Sequence, residues 1–164
     1  MNLTKPIKII SQIAAVVQII GGILSIYGLY KSSLNQGYEL SISLLTVVPL
    51  IFLNFIASYC ILFTKTPKGV HPLIVTYILQ IIQFKFKGVY YFYALGPYLG
   101  LGFVKKVNEG ISFWWDQSEF IFIIIVRFVD DKIGYYLTFN VVAIFFFAVL
   151  LLEYRNRKMN QNQD

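Results

Sequence analysis

Side chains able to do chemistry are few in this chain, and they are scattered. There is one histidine, His71, beside Pro72, and one cysteine, Cys60. A single imidazole and a single thiol with no acidic cluster fall short of a metal site, which takes three or four donors. Asp116 and Glu119 lie three apart in Trp114-Trp115-Asp116-Gln117-Ser118-Glu119. That spacing could hold a cation, but it more simply puts two solvated carboxylates on a turn. Gly100-Leu101-Gly102 lacks the third glycine and the following helix of a phosphate loop, and strand crowding explains it better. No Ser-His-Asp set and no pair of catalytic carboxylates emerges. Arg127 stands out, because it interrupts the apolar run Phe120 to Val129 and is followed by Asp130 and Asp131. A cation in such a run needs a partner, so these three residues predict a local ion pair or a contact with a lipid headgroup. The residue types therefore predict a protein that is not an enzyme and has no cofactor or metal.

The elements that must position these residues are those of a membrane protein. Of 164 residues, 57% are hydrophobic, 18% aromatic and 13% charged, against about a quarter charged in ordinary globular domains. The formal charge of +6 does not point to nucleic acid. Lys5 and Lys8, Lys65 and Lys68, and Arg155, Arg157 and Lys158 sit at the ends of apolar runs, where basic residues hold a span to the cytoplasmic side. The lone cysteine excludes an intramolecular disulfide.

Residues 9–30 carry no charge and, as a helix, would extend about 33 Å, enough to cross a hydrocarbon core of about 30 Å. Ala14, Gln18, Gly21, Ser25 and Gly28 recur at steps of three and four, a face for close helix packing. A second span is expected over 41–63, with Asn54 bonded to a neighbouring helix. A third, over 70–84, would reach only about 22 Å. The lysine-rich early run reads as an uncleaved signal anchor.

From Gln83 the repeat changes to polar and aromatic residues on alternate positions, as in Gln83-Phe84-Lys85-Phe86, which is strand chemistry. Gly96-Pro97 and Asn108-Glu109-Gly110 read as turns, and Ile111 to Asp116 and Glu119 to Val129 as further strands. Residues 85–132 are thus expected to form a β-rich insert outside the membrane. The competing reading, two more membrane helices in this region, must crowd Gly96, Pro97, Gly100 and Gly102 into one of them. Tyr90, Tyr91, Tyr93, Tyr98, Trp114 and Trp115 suit a membrane interface, where one edge of the ring is wet and the other apolar. A last span over 133–154 and a basic, polar tail over 155–164 complete the expected order.

The fold class predicted is an integral membrane, α-helical protein of about four transmembrane helices, with a small antiparallel β-rich aromatic insert between the third and fourth. It is expected in the cell membrane with both termini cytoplasmic, as a homo-oligomer whose insert and basic face meet protein partners. A pore or transporter subunit is the alternative, motivated by Gln12, Gln18, Asn54 and Asn140.

The two opening spans, the basic loop, the stretch Tyr77-Ile78-Leu79-Gln80-Ile81-Ile82-Gln83-Phe84, the Leu95-Gly96-Pro97-Tyr98 turn and one closing span together resemble small uncharacterised bacterial membrane proteins. In size and span count the chain is also similar to membrane subunits of bacterial phage-defence systems of the Kiwa type. That resemblance implies a membrane component of a larger assembly and supplies no catalytic residues.

Overall fold

The computed structural model describes residues 4–35, 40–86, 89–105, 110–128 and 134–161. Four helices, α1 (Thr4–Asn35), α2 (Leu40–Phe63), α3 (His71–Ile81) and α4 (Val141–Gln161), pack on a four-stranded antiparallel sheet. Its strands are β1 (Ile82–Phe86), β2 (Val89–Lys105), β3 (Ile111–Phe128) and β4 (Tyr135–Asn140). The sheet order is β1-β4-β2-β3, and β1 also pairs with β2. Strands β1, β2 and β4 therefore close on one another, while β3 pairs along β2 and forms an edge.

The fold is α/β, which overturns the expectation of about four membrane helices carrying a small insert. Among the described residues only one helix, over Lys5–Gly28, is long and apolar enough to cross a membrane. The described apolar stretch of α2, Val47–Phe63, is shorter. Helix α3 ends at Ile81 rather than Phe84 and extends only about 16 Å. The sheet is not an appendage either, because it begins and ends inside two of the expected spans.

At the first junction Ile82 turns extended (φ −108°, ψ 128°), and α3 runs into β1 without a loop. At the second, the expected span from 133 is divided. Tyr135–Asn140, rich in aromatic residues, pairs with both β1 and β2. Asn140 then caps α4, its Oδ1 accepting hydrogen bonds from the backbone N–H of Val142 (3.1 Å) and Ala143 (3.3 Å).

Gly96-Pro97, expected as a turn, lies within β2, where the register to β3 shifts between Gly96 and Tyr98. This is the signature of a bulge, which bends a strand without ending it. Gly96 has φ +118°, and a Cβ there would fall 2.5 Å from Val17 Cγ1. Only glycine lets β2 take this conformation and approach α1 so closely.

Two apolar clusters hold the layers together. Ala14, Ala57, Leu73, Tyr77, Phe146 and Leu150 join the four helices. Val47 and Ile51 of α2 pack on Tyr93 and Leu95 of β2.

Candidate functional site

The interior where helices meet sheet is unusually polar. Gln18 of α1, Asn54 of α2, Thr76 and Gln80 of α3, Gln83 of β1, and Thr138 and Asn140 of β4 are all buried. Such groups are tolerated away from water only when they bond to one another. Gln80 does this twice, its Nε2 donating to Gln18 Oε1 (3.1 Å) and its Oε1 accepting from Leu95 N–H (3.1 Å). One side chain thus ties α3 to α1 and to β2.

Gln83 repeats the arrangement within the sheet. Its Oε1 accepts from the Tyr98 hydroxyl (2.7 Å) and from Thr138 Oγ1 (3.2 Å), linking β1, β2 and β4. Tyr93 donates to Asn54 Oδ1 (2.7 Å), and Asn54 Nδ2 donates to Leu50 O of its own helix (2.7 Å). The Tyr77 hydroxyl reaches Ala14 O (3.2 Å). Burial raises the phenols of Tyr91, to about 12, and of Tyr98, so both stay protonated donors at physiological pH. By bonding across α1, α2, α3, β1, β2 and β4, this seam fixes how helices and sheet register on one another.

The structure sorts the expected packing face of α1. Ala14, Gln18, Gly21 and Ser25 are buried, whereas Gly28 is exposed with open space where a Cβ would stand. A closer approach missed in the sequence is Gly22, whose Cβ would meet the Phe55 ring of α2 at 3.0 Å. Asn54 does not bond a neighbouring helix as expected, because its partner Tyr93 belongs to the sheet.

The aromatic residues expected at an interface divide as well. Tyr93 and Tyr98 are core residues at 0% and 2% exposure, because both hydroxyls find partners in the seam. Tyr91 is half-buried and bonds Leu79 O (2.7 Å), and Tyr90 packs edge-on against Tyr136. Only Trp114 and Trp115 stand exposed. Arg127 lies on β3 opposite Tyr90, and Asp130 and Asp131 lie outside the described residues.

A second polar region occupies the opposite end of the helices. Arg157 of α4 donates to Glu153 Oε1 (2.7 Å), to Thr64 O (2.6 Å) and to Ile61 O (3.2 Å). It thereby satisfies carbonyls at the C-terminus of α2, which have no partner within their own helix, and places a cation where the helix dipole favours one. Next to it lies a cleft of about 390 Å³, whose polar lining includes Lys5, Lys8, Gln12, Lys65, Asn156 and Asn160. The sequence signal was present, since Lys5 and Lys8 precede the first apolar run and Lys65 follows the second; their convergence follows from the antiparallel packing of α1 and α2. His71 packs against Tyr154, next to Glu153 on α4, at 4.9 Å between ring centroids.

Among the described residues no group of three or more His, Cys, Asp or Glu could hold a metal ion. Comparison with known protein families, with curated proteins and with solved structures finds no match.

Proposed function

We propose that this chain is a membrane-embedded, non-enzymatic scaffold that works by assembly. The observation behind this reading is a broad outward apolar surface on the helices above an interior that also buries a polar seam. Its interior holds Gln18 and Gln83 at 0% exposure, while Tyr27 on α1, Phe52 on α2 and Phe145 on α4 are 63%, 63% and 54% exposed. Ile9, Ile13, Val16, Ile20 and Ile23 continue the outward apolar face of α1. A core helix of a water-soluble protein would turn that face inward. Lipid as solvent explains the outward face, because hydrocarbon tolerates outward Ile and Phe and gives no drive to bury them, while buried polar side chains add hydrogen bonds to the apolar clusters of the interior.

Assembly is supported by the edge of the sheet. Among the described residues strand β3 pairs with β2 alone along Ile111–Phe128, and its first residues present Ile111, Phe113 and Trp115 at high exposure. An edge that long offers unpaired backbone groups to another copy. A pore finds less support, since Gln18, Asn54 and Asn140 are engaged in hydrogen bonds inside the fold.

The test is fractionation of cells expressing the full chain, followed by mass measurement in mild detergent. Retention in the membrane pellet after an alkaline carbonate wash, and a detergent-corrected mass of two or more copies, are expected. Release into the supernatant would overturn the membrane reading, and a strict monomer would overturn assembly.

A further inference from the structure

We infer that the basic cleft binds the phosphate ester of an anionic phospholipid headgroup, an assignment that rests on the membrane reading above. Its walls come from α1, from Thr64 and Lys65 after α2, and from α4. Glu153, the carboxylate among its lining residues, is held by Arg157. Arg157 is itself committed to Glu153 and to the carbonyls of Ile61 and Thr64, so it positions the wall and leaves recognition to other groups. Lys5, Lys8 and Lys65 are exposed, and each makes no ion pair among the described residues.

Three ammonium groups with no ion pair among the described residues, around one cleft, create a positive field that an anion relieves. Neutral donors complete the set, since Gln12 and Asn160 line the same space and Asn156 Nδ2 is a buried donor with no hydrogen-bond partner among the described residues. Phosphate oxygens accept from ammonium and carboxamide N–H alike. Location selects the source of the phosphate. Among the described residues, Lys5 begins the one helical stretch long and apolar enough to cross a membrane, which on the membrane reading sets the cleft at the height of the lipid phosphates. A volume of about 390 Å³ accommodates a headgroup while its acyl chains follow the outward apolar face of α1.

The test uses the full chain purified in a phospholipid-free maltoside detergent and titrated with phosphatidylglycerol, phosphatidylcholine and soluble glycerol phosphate, with binding read by native mass spectrometry. Phosphatidylglycerol is expected to bind in preference to phosphatidylcholine. The triple variant Lys5→Gln, Lys8→Gln, Lys65→Gln should lose that preference by about tenfold or more, following roughly 1 kcal/mol per cation near an anionic headgroup. The pair Arg155→Gln, Lys158→Gln removes exposed charge outside the cleft lining and should change it less than about threefold. Circular dichroism and detergent-corrected mass equal to the parent's keep the comparison on binding. Equal losses in the two variants, or no lipid preference, would overturn the site while leaving the membrane reading intact. Glycerol phosphate binding as tightly as the lipid would overturn the lipid as its source. A chain that stays in solution without detergent would overturn the membrane reading and the lipid assignment together.

Discussion

The seam between helices and sheet and the outward faces of the same helices have exchanged the chemistry that water normally assigns them. Gln18 is fully buried two residues from outward Ile20, and Asn54 is fully buried two residues from outward Phe52 and Ile56. At these positions a carboxamide faces in and an apolar side chain faces out, although the same helices also bury Ala14, Ala57 and Ile61. The comparison teaches that carboxamides supply specificity here: Gln80 and Gln83 each accept or donate across elements that apolar contacts alone would leave free to slide.

Breaking the seam should cost most. Gln83→Leu leaves the Tyr98 and Thr138 hydroxyls buried without their acceptor, and a loss of about 3 kcal/mol is expected in denaturant-driven unfolding of the detergent-solubilised protein. Gly96→Val comes next, at about 2 kcal/mol, since it combines a positive φ with a collision against Val17. Adding Val17→Ala should recover part of that loss, the part due to the collision. Gln18→Met removes one bond to Gln80 but also removes Nε2, which has no partner in the structure, so the net change should stay below about 1 kcal/mol. Smallest of all, Phe52→Leu on the outward face should shift stability by less than about 0.5 kcal/mol. A large loss at Phe52 with a small one at Gln83 would reverse the assignment of inside and outside.

Parts of this arrangement were legible in the sequence. The alternation from Gln83 to Phe86 lies in a strand, whereas Ile111 to Asp116 and Glu119 to Val129, expected as two strands, form one continuous strand over Ile111–Phe128. What failed was reading apolarity as span. Tyr135–Asn140 is apolar enough to extend a membrane helix, yet it pairs with two strands, and such pairing is set by distant residues that no local pattern reports. Gly96-Pro97 carried turn chemistry but serves a bulge, because β3 continues opposite it. Tyr93 and Tyr98 looked interfacial for a similar reason: composition marks an amphipathic ring, and only the fold shows that Asn54 and Gln83 wait for the hydroxyls. The basic cleft was visible only as separate lysines, Lys5 and Lys8 before the first apolar run and Lys65 after the second.

Site-directed spin labelling tests the outward apolar surface most directly. Labels introduced singly at Ile23→Cys, Phe52→Cys and Phe145→Cys in a Cys60→Ser background, in lipid-reconstituted protein, can be challenged with oxygen, which concentrates in hydrocarbon, and with a water-soluble nickel chelate. High oxygen and low chelate accessibility at all three positions is the predicted result. Chelate accessibility equal to that of a label at exposed Lys158 would contradict lipid as the solvent of this fold.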